Sequence, residues 1–153
     1  MDRKLGTPEN PEGYASYYLD VDVAPAYPFG YGLSYSAFEY SDLTLSEKEI
    51  KPGGTIDASV KIKNTGKYEA AETVQLYVRD LFGSVTRPVK ELKGIKKVSL
   101  KPGEEKTISF SLSTDDLKFW DIDMNFVAEP GDFDLWIGGD SATELKTAFK
   151  LVE

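Results

Sequence analysis

The sequence predicts an all-β fold, a two-layer antiparallel sandwich of about seven strands, and three observations lead to it. Apolar and polar residues alternate with a period of two around Ile56–Ile62, Val74–Val78, Ile108–Leu112 and Phe133–Ile137, the pattern of strands with one buried and one wet face. Turn sequences separate these runs: Lys51-Pro52-Gly53-Gly54, Asn64-Thr65-Gly66, Lys101-Pro102-Gly103-Glu104 and Glu129-Pro130-Gly131-Asp132. In such turns proline presets one φ and glycine supplies a left-handed one. Finally, a chain of 153 residues, 41% hydrophobic and 12% aromatic, can bury one sizeable core, and a sandwich needs roughly 100 residues.

Taken in order, the chain opens without periodicity. Thr7-Pro8-Glu9-Asn10-Pro11-Glu12-Gly13 is polar and turn-rich, so Met1–Gly13 is expected to be loosely held. An aromatic stretch follows, with Tyr14, Tyr17, Tyr18, Tyr27, Phe29, Tyr31 and Tyr35 punctuated by Pro25, Pro28, Gly30 and Gly32. The prolines and glycines exclude a long helix or a central strand, and tyrosines of this kind lie on a surface with the ring covered and the hydroxyl wet or bonded. Residues 1–37 therefore read as an irregular extension and residues 38–153 as the sandwich.

Within 38–153 the first strand is expected over Phe38–Leu45. The second carries Ile56, Ala58, Val60 and Ile62 inward, and the third carries Val74, Leu76 and Val78. A fourth, Val89–Leu100, has lysines flanking Ile95 and Val98, which suits an edge that must resist pairing with another chain. The fifth turns Ile108, Phe110 and Leu112 inward, the sixth Phe133, Leu135 and Ile137, and Leu145–Val152 closes the set. Thr114–Trp120 reads as one helical turn with Thr114 as N-cap and Asp115 and Asp116 in its first turn. Tyr77 and Trp136 are out of phase with the apolar positions of their strands, so both point away from the core. As exposed flat rings they are candidates for stacking on sugar faces or for being covered by a docked domain.

Composition excludes several chemistries. The chain has no His and no Cys, which removes Ser-His-Asp and Cys-His nucleophiles, disulfides, thiolate zinc sites and imidazole ligands. Catalysis would have to use carboxylates, Lys or Tyr. The densest acidic group, Asp115, Asp116, Asp121 and Asp123, lies in a short connection where capping and solvation are its expected roles. Asp121-Ile122-Asp123-Met124-Asn125 alternates oxygen ligands as a calcium loop does, yet lacks the glycine and distal glutamate of that pattern. Gly53-Gly54 and Gly138-Gly139 lack a phosphate-loop context. No metal and no cofactor are expected. Eighteen basic against 26 acidic side chains, a net charge of -8, argue against a nucleic-acid partner; Lys90, Lys93, Lys96, Lys97 and Lys101 read as a solvated strand face. No apolar run approaches the ~20 residues of a membrane-spanning helix, and Met1–Gly6 opens no apolar leader segment. The compartment is not readable from a cysteine-free chain.

The order of several blocks is more specific. Tyr27-Pro28-Phe29-Gly30-Tyr31-Gly32-Leu33-Ser34-Tyr35 resembles a signature that opens the C-terminal fibronectin type III-like domain of family-3 glycoside hydrolases, the β-glucosidases and β-xylosidases. The likeness continues through Thr73–Asp80, Ser84–Gly94, Leu117–Asp121 and Glu129–Phe133, covering about residues 14–153. The resemblance implies an immunoglobulin-like, fibronectin type III-like sandwich, preceded by a linker running along a catalytic domain.

In that family the nucleophilic aspartate lies in a barrel domain and the acid/base glutamate usually in an α/β sandwich, and none of the catalytic residues maps onto this chain. By resemblance it is a non-catalytic accessory domain whose partners are the catalytic domains of a parent glycosidase. Tyr27, Phe29, Tyr31 and Tyr35 are then the expected interface. Arg79 and Arg87, flanking the Asp80–Pro88 connection, are candidate bidentate donors to carboxylates across a junction. Two alternatives stand beside this: a carbohydrate-binding module using Tyr77 and Trp136, and a domain that self-associates through a stranded apolar surface.

Overall fold

The computed structural model describes residues 25–153; the expectations for Met1–Gly13 and for Tyr14, Tyr17 and Tyr18 concern residues outside this range. Each expected strand is present: β1 (Phe38–Leu45), β3 (Thr55–Asn64), β4 (Ala70–Asp80), β5 (Glu91–Leu100), β6 (Glu105–Ser113), β9 (Gly131–Gly138) and β10 (Lys146–Leu151). Three two-residue strands join them, β2 (Glu49–Ile50), β7 (Phe119–Trp120) and β8 (Phe126–Val127). One sheet has the order β1-β3-β6, the other β2-β10-β9-β4-β5, and β7 and β8 form a separate hairpin.

The turns form as their residues dictate. Gly54 N–H and Glu104 N–H donate to the carbonyls of Lys51 and Lys101 at 2.8 and 2.9 Å, with Gly53 and Gly103 both at φ 77°, the left-handed residue that follows proline in a type II turn. Pairing is antiparallel except at β2, which runs parallel to β10. Within β1 the register shifts between Ser41 and Thr44, where Asp42 takes φ 52°, and the chain leaves the small sheet after Leu45. It then covers the β10 edge, with Lys150 N–H and Val152 N–H each donating at 2.9 Å to Lys48 and Ile50 carbonyls.

The inward phases meet as the alternation requires. Ile56, Ala58, Val60 and Ile62 of β3 face Val74, Leu76 and Val78 of β4, Leu135 and Ile137 of β9 and Leu151 of β10 within one buried cluster. Phe133 and Phe149 stack at 5.2 Å between ring centroids. Each such side chain contributes about 1.5–3 kcal/mol on full burial, so this cluster is the main source of stability. At the exposed edge β5, Lys96 Nζ donates to the Ser109 carbonyl, and Lys106 Nζ returns a bond to Ser99 at 2.9 Å. Lysine heads thus occupy the seam between the two sheets at that edge.

Two local features differ from expectation. The helical turn is a 3-10 turn over Thr114–Leu117, and its cap is Ser113, not Thr114. The Asp116 carboxylate reaches back to accept from Ser113 N–H at 2.8 Å and Ser113 Oγ at 2.7 Å. Thr114 is buried instead, its Oγ1 accepting from Gly53 N–H at 2.9 Å. Asn64 is more than a turn residue. It is 0% exposed; Oδ1 accepts from Ser36 Oγ (2.6 Å) and Gly66 N–H (2.9 Å), and Nδ2 donates to the Tyr68 and Leu100 carbonyls (2.8 and 2.9 Å).

Candidate functional site

The outer face of the five-stranded sheet is where phase sends Gln75 and Tyr77 of β4 and Trp136 of β9; Tyr77 lies opposite Trp136, and Gln75 opposite Gly138. Both aromatic rings do point away from the core, but they are not exposed: Tyr77 is 1% and Trp136 8% accessible. The expectation of two free stacking platforms is therefore corrected. The cover comes from the irregular extension, which folds back as a strap, and from the β9–β10 connection.

Hydrogen bonds of the strap show how it is held. The Phe29 carbonyl accepts from Ser141 N–H at 2.9 Å, and the Gly30 carbonyl accepts from Gln75 Nε2 at 3.1 Å. Gln75 Nε2 also donates to the Gly139 carbonyl, and its Oε1 accepts from the Tyr77 hydroxyl at 2.6 Å. One buried amide thus joins strap, sheet and connection. Glycine is required at position 30 for two reasons: its φ is +82°, and a Cβ there would lie 2.1 Å from Gln75 Oε1. Lys90 holds the connection from the other side, donating from Nζ to the Ser141 and Thr143 carbonyls at 2.7 and 2.9 Å. Its ammonium lies 4.7 Å from the centroid of the Trp136 ring. Burial lowers the Lys90 pKa, opposed by the charges of Asp140 and Glu144, and burial likewise raises that of Tyr77.

The strap's side chains face the opposite way. Tyr27, Phe29 and Tyr31 are exposed, Leu33 is 90% and Tyr35 96% accessible; Tyr27 and Tyr31 stack on each other at 5.2 Å. A cleft of about 410 Å³ opens between Phe29, Tyr77, Val89, Lys90, Leu92 and Ser141. Backbone carbonyls point inward and aromatic side chains outward, so the strap both closes the sheet and offers a new apolar surface.

Of the two arginines, Arg87 is engaged within its own domain, whereas Arg79 is half-buried on β4. Arg87 pairs with Glu91, and its guanidinium carbon lies 4.3 Å from the centroid of the buried Phe119 ring. The Arg87 cation thus has both an ionic and an aromatic partner inside the sandwich. Arg79 stands on β4 opposite Asp134, whose carboxylate pairs with Lys146 at 3.1 Å. The loop between them is held in its first half, through Phe82 N–H to Asp80 Oδ1 (3.1 Å) and Ser84 N–H to Glu129 Oε2 (2.9 Å). Burial raises the Asp80 pKa against the opposing hydrogen bond from Phe82.

The fibronectin type III-like domain model matches residues 72–141. The chain carries a fibronectin type III-like domain. It is 49% identical over 145 residues to the periplasmic beta-glucosidase of Salmonella typhimurium, a match covering 95% of this chain and 19% of that enzyme. It is 45% identical to thermostable beta-glucosidase B of Acetivibrio thermocellus, over 82% of this chain and 17% of that one. Among solved structures, beta-glucosidase from Listeria innocua in complex with glucose superposes with a TM-score of 0.84 at 39% identity, covering 96% of this chain and 20% of that enzyme. The resemblance read from Tyr27–Tyr35 and the later blocks holds: the chain is similar to one region of β-glucosidases and β-xylosidases, and within it lies the fibronectin type III-like domain. The chain spans about a fifth of the length of these relatives.

Sequence reasoning missed one surface of this fibronectin type III-like domain, the β7–β8 hairpin. Its turn is built by Asp121, whose Oδ1 accepts from Asp123 N–H (2.9 Å) and Asn125 N–H (2.8 Å), while Met124 takes φ 63°. Those bonds hold the Asp121 pKa below the usual carboxylate range. The alternating oxygens at 121–125 thus serve a turn, and no group of three or more acidic side chains able to hold a metal occurs among the described residues. The signal available in the sequence was Trp120 and Phe126 flanking an Asp-x-Asp-x-Asn turn. Gln75 was missed as well, hidden in an outward phase where a polar residue is unremarked.

Proposed function

We propose that this chain is the non-catalytic accessory domain of a longer β-glucosidase-like glycoside hydrolase, and that it docks against the catalytic portion through the outer side of its strap. In this reading residues 1–37 are the interdomain segment and residues 38–153 the sandwich. The observation that carries it is the two-sidedness of Tyr27–Tyr35: main-chain groups of the strap bond to Gln75 and Ser141, while Phe29, Leu33 and Tyr35 are turned to solvent. Apolar patches of this kind mark interaction sites, and Tyr and Phe are typical of interface cores. The coverage figures supply a partner, since the β-glucosidases it matches have about four times as much chain again beyond the matched region. Non-catalysis is supported by the lack of His and Cys and by the use of the densest acids for capping and turn formation. Sugar stacking on Tyr77 and Trp136 is not favoured, because both rings are covered.

The isolated chain should release no nitrophenol from an aryl β-glucoside above the buffer rate; turnover that survives repurification would overturn the non-catalytic reading. Docking is tested by placing this chain in the Salmonella typhimurium enzyme in place of the region it matches. Leu33→Ser with Tyr35→Ser should lower the melting temperature of that chimera and leave the isolated chain within about 0.5 kcal/mol of its parent, as surface changes do. Equal melting of the two chimeras would remove the strap from the interface.

A further inference from the structure

The β7–β8 hairpin presents Trp120, Ile122, Met124 and Phe126 to solvent, at 58, 79, 72 and 51% accessibility. Four large apolar side chains lie within seven residues, and the hairpin's contribution to the core is Phe119, which is buried beneath the Arg87 guanidinium. The outward rings are also ordered. Trp120 pairs with Phe126 across the hairpin, their centroids 5.2 Å apart and the planes tilted by 42°, and the Asp121 carboxylate fixes the turn. The same stretch of chain carries Asp115, Asp116, Asp121 and Asp123 against Lys118, which is paired with Asp115 at 2.7 Å.

We infer that this hairpin is a second docking face, and that its occupant is an apolar pocket with a basic rim on the catalytic portion of the same polypeptide. The inference rests on the accessory-domain reading and adds a surface to it that is separate from the strap. Size selects the occupant. Free partners bury roughly 800 Å² each, more than four side chains of one hairpin provide. A patch this small can hold only where the partner is tethered, since a short covalent link supplies an effective concentration in the millimolar range. The β-glucosidases that this chain matches over about a fifth of their length have such a tethered remainder. Charge selects the rim, because four aspartates against the single Lys118 leave this segment acidic, which favours Lys or Arg opposite and disfavours a second copy of this acidic chain.

Peroxide oxidation of Met124, read by mass spectrometry, tests this in the Salmonella chimera and in the isolated chain. Oxidation follows exposure, so Met124 should react about tenfold more slowly in the chimera; equal rates overturn the inference. Ile122→Ser with Met124→Ser should shorten the chimera's half-life of thermal inactivation about fivefold, as lost interface contacts speed unfolding, and leave the isolated chain's melting unchanged. An equal loss in the isolated chain would make the hairpin an element of its own domain and overturn the inference. If the strap variant weakens the chimera and the hairpin variant does not, the hairpin alone fails; if neither does, the accessory-domain reading fails with it.

Discussion

Replacing Asn64 by alanine should unfold this domain more readily than any surface change, through four hydrogen bonds lost at once. The side chain ties the start of β1 to the β3–β4 turn and to the end of β5, through Ser36, Gly66, Tyr68 and Leu100. Of these the bond to the Leu100 carbonyl is buried, and an acceptor left there without a donor costs about 1–3 kcal/mol. The three part-buried groups regain water, so each forfeits only the net value of a hydrogen bond, at the lower end of about 0.5–1.5 kcal/mol. The sum is about 2.5–4.5 kcal/mol, a large part of the roughly 5–15 kcal/mol that holds a domain folded. In urea titrations of the isolated chain the midpoint should fall with the slope unchanged. A loss below about 0.5 kcal/mol, the range of ordinary surface substitutions, would refute the role assigned to Asn64.

Asn64→Asp sharpens the test without changing volume. The introduced carboxyl keeps the acceptors for Ser36 and Gly66 but turns an oxygen toward the Tyr68 and Leu100 carbonyls. Burial and two facing carbonyls must raise its folded pKa above the unfolded value of about 3.9. A group raised in this way favours the fold at low pH and loses that contribution as pH rises through its folded value. The deficit relative to the parent should therefore be smallest in acid and grow toward neutrality. A pH-independent deficit would contradict the assignment of the two Nδ2 bonds.

Two further predictions concern the strap and one end of the sheets. Gly30→Ala forces a side chain into left-handed backbone and against Gln75, so the strap should lift, at a cost of about 1–3 kcal/mol; the Ser141 amide, which donates to the Phe29 carbonyl, should then exchange its hydrogen faster, and unchanged exchange would contradict this account of how the strap is held. Glu72 accepts from the Tyr40 hydroxyl at 2.9 Å, and burial, reinforced by Asp140, raises its pKa against that bond. Being raised in the fold, it supports stability below its unfolded pKa and ceases to do so as pH rises through the folded one; Glu72→Gln, which keeps the acceptor, should flatten stability between mild acid and neutral pH. Parallel pH profiles for the two proteins would contradict this.

Much of the architecture was legible because a strand's side chains alternate strictly. Ile56–Ile62, Val74–Val78 and Phe133–Ile137 mark their own inward faces, and the lysines around Ile95 mark an edge. The same alternation reports only which face a residue takes, never what lies upon that face. Tyr77 and Trp136 were read as outward and are outward, yet they are buried: the Phe29 carbonyl of the strap lies at the Tyr77 hydroxyl, 48 residues away in sequence, and the Lys90 and Lys146 ammonium groups lie over the Trp136 ring. Arg87 offered a charge suited to a partner, and Glu91 with Phe119 engages it instead.

By itself, then, the sequence determined the sandwich, the strand phases, the turn positions and the relationship to family-3 glycosidases, since each is written in local pattern or in ordered blocks. The tertiary structure alone decided which aromatic residues are surface. The strap has no periodicity to read, and its placement depends on long-range bonds, from Gln75 Nε2 to the Gly30 carbonyl 45 residues away and from Ser141 N–H to the Phe29 carbonyl. Cover is a long-range property. It moved the apolar surface from the sheet's own rings to Phe29, Leu33 and Tyr35 on the strap, and left a second one at the β7–β8 hairpin.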